Sequence, residues 1–478
     1  MWVGWSIFKL GALGHLLECA SQLSFELLNP GYVNWEKVMN TEDLRAAADK
    51  FLVRSGLLPS DVMPAEEGPI FNRADGTIIW DTDGKRYLDF NSGQMCSTLG
   101  HNNQRVTEAV QQALTELTHC SSIYRNVKQI ELATKIAETV DLPLSRSMFI
   151  QSGADSNEAA TMFARRYTGR TGIGAFHLGF HGYTDVTRGM SYIAASPGYG
   201  PSVPDVYAIP TPYAYRSEVS EEREDWWRPM LQMSMELLDR QFPGNLAAVI
   251  CEPIPSSGGV LEMPSGYFKA LKNELRSRNS LLIFDEAQTG LGKVGTMYCY
   301  QQEDVVPDIM TLSKHFGGGL AISAMITSTE IEEKVVNDGL SFGHSHSSDP
   351  IGCVAGLASL EEILEEDIPG KAQKIGVSWQ ERMRALQQRY ELIGDVRGRG
   401  CLQGLELVRS RRSKEPANTE AAAIFEHSIR NGLLFSVRGQ NSNVLRFVPP
   451  FSTTEGQLDE ACEILEAGIC KALASASN

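Results

Sequence analysis

The sequence has no C-x-x-C pair; its nine cysteines stand apart at positions 19, 96, 120, 251, 299, 353, 401, 462 and 470. Such an odd, unclustered set excludes a disulfide framework and a zinc site built from paired thiolates, and it points to a reducing, cytoplasmic compartment. An excess of positive charge is also missing. With a net charge of -16, neither nucleic acid nor an anionic membrane has an electrostatic hold on the surface. No apolar run reaches the roughly 20 residues that span a bilayer. Even the apolar start, MWVGWSIFKLGALGHLLECA, is broken by Lys9, His15 and Glu18. It lacks a basic lead and a small-residue cleavage site, so it predicts an amphipathic helix docked on the body or on a partner subunit. There are no repeats and no low-complexity segment. A phosphate-binding G-x-x-x-x-G-K-[ST] loop is absent too, since GLGKVGT (290–296) has the wrong spacing.

What remains is an ordinary globular composition, 42% apolar and 21% charged, in 478 residues. That length predicts two or three subdomains. Strand-like and helix-like stretches alternate: RSMFIQSGADSNEAATMFARRYTG reads strand, turn and helix, LAAVICEPI strand, GYFKALKNELRSRN helix, SLLIFDEAQ and IMTLSK strands. Alternation of this kind predicts an α/β fold, a mostly parallel sheet whose ligand crevice lies at the carboxyl ends of its strands. From about residue 355 come long helical runs (370–392, 418–431, 454–473) around short strands, CLQGLELV and VLRFVPP, the mark of a smaller α+β domain. The expected division is an extension over 1–65, an N-terminal part of the small domain over 66–97, a large domain over 98–354 and the C-terminal small domain over 355–478.

Three strand ends carry chemistry. In SGADSNEAA (152–160), Gly153 and Ala154 open a helix with almost no side chain, and Asp155 and Asn157 offer caps. A phosphate cup and a plain capped helix both fit this stretch. LLIFDEAQTG ends a strand with Asp285, whose carboxylate at close range holds a ring nitrogen protonated. TLSKHFGGG (311–319) sets Lys314 between a strand and three glycines. Taken singly, Lys314 reads as a solvated charge or as a nucleophilic amine. Together the three match what pyridoxal phosphate needs: a helix N-terminus for its phosphate, an aspartate for its pyridine nitrogen and a lysine for its aldehyde.

Here the sequence resembles a known family. LDFNSGQM, SGADSNEAA, FHGYTD, AIPTPYAYR, CEPIPSSGG, LLIFDEAQTG, DIMTLSK, SSDP, IGDVRGRG, RRSKEPA and LRFVPP are similar to stretches of the class III aminotransferases, within them most closely the 2,2-dialkylglycine decarboxylases. SGQM, PTPYAYR and RRSKEPA point to that branch. The resemblance implies a fold type I enzyme, with a seven-stranded, mostly parallel sheet in the large domain. It implies that Lys314 joins the cofactor and moves protons, that Asp285 pairs with the ring nitrogen and that Gln288 bonds the phenolic oxygen. Gly153, Ala154 and Asn157 would hold the cofactor, with Ser345 reaching its phosphate from a second subunit of a homodimer or dimer of dimers. Phe180 would stack on the ring. Arg446 would hold a substrate carboxylate and Gln94 the carboxylate that leaves, with Ser257 and Glu252 as support. The same branch binds a potassium or sodium ion, and Ser122 and Asp349 match its side-chain ligands, with carbonyls from Cys120, Ser345 and Ser347.

His177 and His181 read as strand and turn, and His344 and His346, flanking Ser345, as an interface contact or proton source rather than a metal pair. Where the branch has Tyr-Thr-Thr-His, this chain has Gly343-His344-Ser345-His346, which opens space beside the substrate. The expected reaction is decarboxylation-coupled transamination of a 2,2-dialkylglycine such as 2-aminoisobutyrate, with a keto acid such as pyruvate as acceptor. The alternative is transamination of an amine or ω-amino acid without decarboxylation.

Overall fold

The computed structural model describes residues 40–53, 68–194, 203–219 and 223–476. The chain separates into two units, 1–57 and 58–478. In the first, the described residues form one helix, Thr41–Phe51, capped by the Asn40 side chain. The helix expected in the first 20 residues lies outside the described residues. Among the described residues no helix is long and apolar enough to cross a membrane.

The second unit is built on a seven-stranded sheet. In chain order its strands are β4 (Leu144–Ile150), β5 (Gly172–Phe176), β6 (Val206–Ile209), β7 (Leu246–Cys251), β8 (Leu281–Asp285), β9 (Ile309–Leu312) and β10 (Ser323–Ser328); the N-terminal strands β1 (Phe71–Asp75), β2 (Ile78–Asp81) and β3 (Arg86–Asp89) lie in a separate sheet. The spatial order is β4-β10-β9-β8-β7-β5-β6. All pairs are parallel except those of β10, which runs antiparallel to both β4 and β9.

The central strands are apolar throughout because both faces are covered. In β8, Leu282 and Phe284 enter one core cluster while Leu281 and Ile283 enter the other, the period-two alternation of a strand between two helical layers. β8 therefore ends by presenting Asp285 at the carboxyl edge, where Asp285 is paired with Thr311 of β9.

Two smaller sheets flank this core. One joins β1, β2 and β3 to β13 (Leu433–Leu434). The other contains β11 (Ile393–Arg399), β12 (Leu402–Leu407), β14 (Ser436–Arg438) and β15 (Val444–Phe447), in the order β11-β12-β15-β14. β15 matters most for function because Arg446 projects from it. Helix Pro350–Glu365 runs through the expected boundary at 354 and 355, and helix Ile368–Arg389 follows it after a break at Glu366 and Asp367.

Candidate active site

The helix Gly153–Thr168 starts where β4 ends. Ser152 and Asp155 close a reciprocal capping box, which leaves the first-turn amides of Gly153 and Ala154 without a carbonyl inside the helix. The helix dipole adds partial positive charge at that point. A side chain at Gly153 does not fit, because a Cβ there would stand 2.7 Å from Ser313 Oγ. Close packing of Gly153 on Ser313 sets this helix terminus directly beside Lys314. Gly182 closes the other side: it has φ +135°, and a Cβ on it would stand 2.6 Å from the Ala154 Cβ.

One turn into the same helix, Asn157 ties the strand ends together. Its Nδ2 donates to Asp285 Oδ2 at 2.7 Å and to the His181 carbonyl at 2.9 Å, and its Oδ1 accepts from Thr311 Oγ1 at 2.7 Å. Asp285 is buried and also meets His181 Nδ1 at 2.9 Å and the Ala287 amide at 3.1 Å. His181, read from the sequence as a structural part of a turn, is therefore a direct partner of the carboxylate. No local signal reveals this, since the two residues meet only through the fold. The carboxylate is held rigid at a strand end, as a fixed counter-charge requires.

Lys314 begins a short turn, Lys314–Gly317, with φ +56°. A left-handed backbone at a non-glycine residue is unfavourable and persists where the surroundings hold it. Burial lowers the amine's affinity for its proton, and Arg446 adds to this, while Cys96, Asp285 and Glu252 oppose it. The net direction is downward, which favours the free base that attacks a carbonyl.

A second network runs across the site. Gln288 Nε2 donates to Glu252 Oε2 at 3.0 Å and its Oε1 accepts from Arg446 Nη1 at 3.2 Å. Glu252 also accepts from the amides of Phe180 and Ser256, and burial raises its carboxyl to about 7. The ring of Phe180 packs edge-on against Tyr183. Arg446 Nη1 also donates to Ser256 Oγ at 3.1 Å. Ser257, expected as support, offers its carbonyl to the Gly439 amide. Arg446 is 1% exposed, and its Nε and Nη2 have no partner. Burial, then the charge of Arg438, presses its guanidinium well below its ordinary value.

Not every expected residue joins these networks. Gln94 is exposed, and its Oε1 accepts from Asn91 Nδ2 at 3.3 Å. Ser345 is exposed on its loop, and Ser122 is exposed on another. Asp349 holds the cap position of helix Pro350–Glu365 without a side-chain capping bond; it bonds His119 and His346.

The family model for aminotransferase class-III matches residues 62–469. The chain belongs to that family. It is an enzyme of fold type I, a pyridoxal-phosphate-dependent aminotransferase. The aminotransferase is 32% identical over 405 residues to a probable 4-aminobutyrate aminotransferase of Bacillus subtilis, covering 83% of this chain and 92% of the relative. It is 33% identical over 407 residues to a leucine/methionine racemase of Thermococcus litoralis, covering 83% and 89%. A thermostable (S)-enantioselective omega-transaminase from Thermomicrobium roseum superposes with a TM-score of 0.84 at 28% identity, covering 91% of this chain and all of the other. The aminotransferase's residues fit the family cofactor. An anion-ready helix terminus with no room for a side chain, a rigid buried carboxylate and a lysine amine stand at the ends of β4, β8 and β9.

Proposed function

We propose that the aminotransferase moves an amino group from an ω-amino acid or amine to a keto acid such as pyruvate. The observation that carries this reading is the free edge of Arg446. Nε and Nη2 lie on the same side of the guanidinium, the side that receives a carboxylate through two parallel bonds, and both are buried without a partner. An unsatisfied buried guanidinium is expensive, so a carboxylate-bearing substrate or acceptor is the natural occupant.

When bound, pyridoxal phosphate supplies an electrophilic carbonyl and an electron-withdrawing ring. The amides of Gly153 and Ala154 would bind its phosphate. Asp285, fixed by Asn157 and His181, would keep the ring nitrogen charged. Gln288 would bond the ring oxygen and the face of Phe180 would bound the ring. Lys314 would join the cofactor and carry a proton to and from the reacting carbon. The similarity to a probable 4-aminobutyrate aminotransferase and to an omega-transaminase supports an amine remote from the carboxylate.

Decarboxylation of a 2,2-dialkylglycine has less support. It needs Gln94 to hold the leaving carboxylate, and Gln94 is exposed and outside the network that joins Gln288, Glu252 and Arg446. A homodimer fits the apolar side chains left exposed at Ile123, Tyr124, Val127 and Ile130.

The test is a pair of single-turnover measurements on the loaded enzyme. With 4-aminobutyrate or 5-aminovalerate, amino transfer to the cofactor without carbon dioxide is expected. With 2-aminoisobutyrate, no carbon dioxide is expected. Carbon dioxide from 2-aminoisobutyrate and no transfer from the ω-amino acids would reverse the assignment, and racemisation of leucine without net transfer would replace it.

A further inference from the structure

Outside the cofactor cup, two histidines and a carboxylate from distant parts of the chain meet at the surface. His119 Nδ1 lies 2.7 Å from Asp349 Oδ1, and His346 Nδ1 engages the other carboxylate oxygen. The ligand-capable atoms of all three residues lie within 4.8 Å of one another. The two imidazole rings are 5.3 Å apart and inclined at 59°. Their side chains are 49% and 66% exposed, against 19% for Asp349. The carboxylate is thus the fixed base of the group, and the rings above it have room to turn.

The sequence reading sets Asp349 among oxygen ligands and gives it neither histidine as a partner. It pairs His346 with His344, across Ser345, while in the fold His344 turns to Asp155, at 4.0 Å. His119 carries no motif at all.

We propose that His119, His346 and Asp349 form a binding site for a divalent d-block cation of the zinc or nickel type. Imidazole nitrogen is a good ligand for zinc, nickel and copper and a poor one for sodium or potassium. Metal–ligand bonds of about 2.0–2.2 Å place neighbouring ligand atoms of a tetrahedral site roughly 3.4 Å apart. The 2.7 Å contact of His119 with Asp349 needs to open by roughly 0.7 Å to admit the ion at that spacing, within reach of half-exposed rings. Binding would displace the proton shared between each Nδ1 and the carboxylate, leaving neutral imidazoles protonated on Nε2. Three protein ligands leave the remaining coordination positions to water.

The site lies beside the cofactor cup without sharing a side chain with it. The Gln151 side chain donates to the His346 carbonyl, and Gln151 immediately precedes Ser152, the cap of the cup helix. Asn126 Nδ2 donates to the Ser348 carbonyl at 2.8 Å, and the Ser348 amide to the Phe149 carbonyl at 3.1 Å. An ion bridging His119 to residues 346–349 would cross-link the segment around 119–126 to the loop that carries Ser345.

The experiment is isothermal titration of chelator-stripped full chain with nickel chloride and, separately, zinc chloride, in excess potassium chloride. One ion per chain is expected, with His119→Ala, His346→Ala and Asp349→Asn each weakening binding at least tenfold. Because zinc also binds free thiols, Cys470→Ser serves as a control and should leave the affinity unchanged. Circular dichroism confirms that each variant is folded, and His119→Asn and His346→Asn replace any alanine variant that is not. The proposal is overturned if no saturable nickel binding occurs or if the His119 and His346 variants bind as tightly as the parent. Equal competition by potassium would overturn it as well, because it would return the site to oxygen ligands.

Discussion

Asp285 and Arg446 are both almost wholly buried, at 3% and 1% exposure, yet they are finished to different degrees. The Asp285 carboxylate receives Asn157, His181 and the Ala287 amide. Arg446 spends only Nη1, on Ser256 and Gln288, and leaves Nε and Nη2 open. A buried charge with all its bonds made is a fixed part of the machine, because moving it breaks several contacts together. A buried charge with one edge open is incomplete until something arrives. The difference separates the end of the site that holds the cofactor from the end that receives the substrate.

The harshest way to break this comparison is Asp285→Asn. The amide keeps the shape and removes the charge, so turnover should fall about 10²–10³-fold, the scale of one lost electrostatic contact to the reacting system. Melting temperature should change little, and stopped-flow rates check the loss of turnover. If the Asp285→Asn variant turns over at the parent rate, the fixed end is only structural.

Next comes Arg446→Met. Removing one side of a buried charged pair costs about 2–5 kcal/mol of binding, so KM for 4-aminobutyrate should rise steeply. An amine donor with no carboxylate should lose far less. Steady-state kinetics with both donors decide it, and equal losses would mean that Arg446 only supports the fold.

Lys293 sharpens the contrast from a third direction. It is fully buried and its Nζ has no partner at all; burial, then the charge of Lys314, lowers its amine to about 7. A lysine whose folded value lies below its unfolded 10.5 penalises the fold below pH 7. The penalty fades as the pH rises towards 10.5. Lys293→Met, which keeps length and flexibility, should therefore raise the apoprotein melting temperature by several degrees at pH 7 and by much less at pH 10. A shift of equal size at both pH values would show that charge is not the cause.

The smallest expected effect distinguishes two adjacent serines. Ser256→Ala removes one bond to Arg446 and should weaken carboxylate binding by about 1 kcal/mol, a few-fold in KM, whereas Ser257→Ala should change nothing measurable. The reverse result would give the supporting role to Ser257.

That pair shows where the sequence stops being informative. Strand β9 could be read because Ile309–Leu312 is a short apolar run bounded by polar and glycine residues, and β8 because LLIFD is buried on both faces and ends in a charge. The ends of such strands lie together in any doubly covered sheet, so Asp285 and Lys314 could be nominated from spacing alone. Side-chain direction in an irregular turn follows no period, so Ser256 and Ser257 could not be told apart. The His181–Asp285 and His119–Asp349 contacts join segments far apart in the chain, and no local pattern encodes them. The antiparallel placement of β10 was equally hidden: its composition is that of any buried strand, and only pairing with β4 and β9 fixes its direction.

The position of β10 has a consequence for how the molecule comes into being. β4 leads to the cup at Gly153 and β9 leads to Lys314, and β10 is the strand hydrogen-bonded to both. On a ribosome, the cup segment emerges long before the lysine, the strand that joins them follows, and Arg446 emerges well after both. The parts of the site are therefore made in sequence but can be brought together only after β15 has been synthesised. Long-range pairing of this kind is slow and leaves unpaired strand edges exposed in the meantime. The strand order must exist before the cofactor can secure the site.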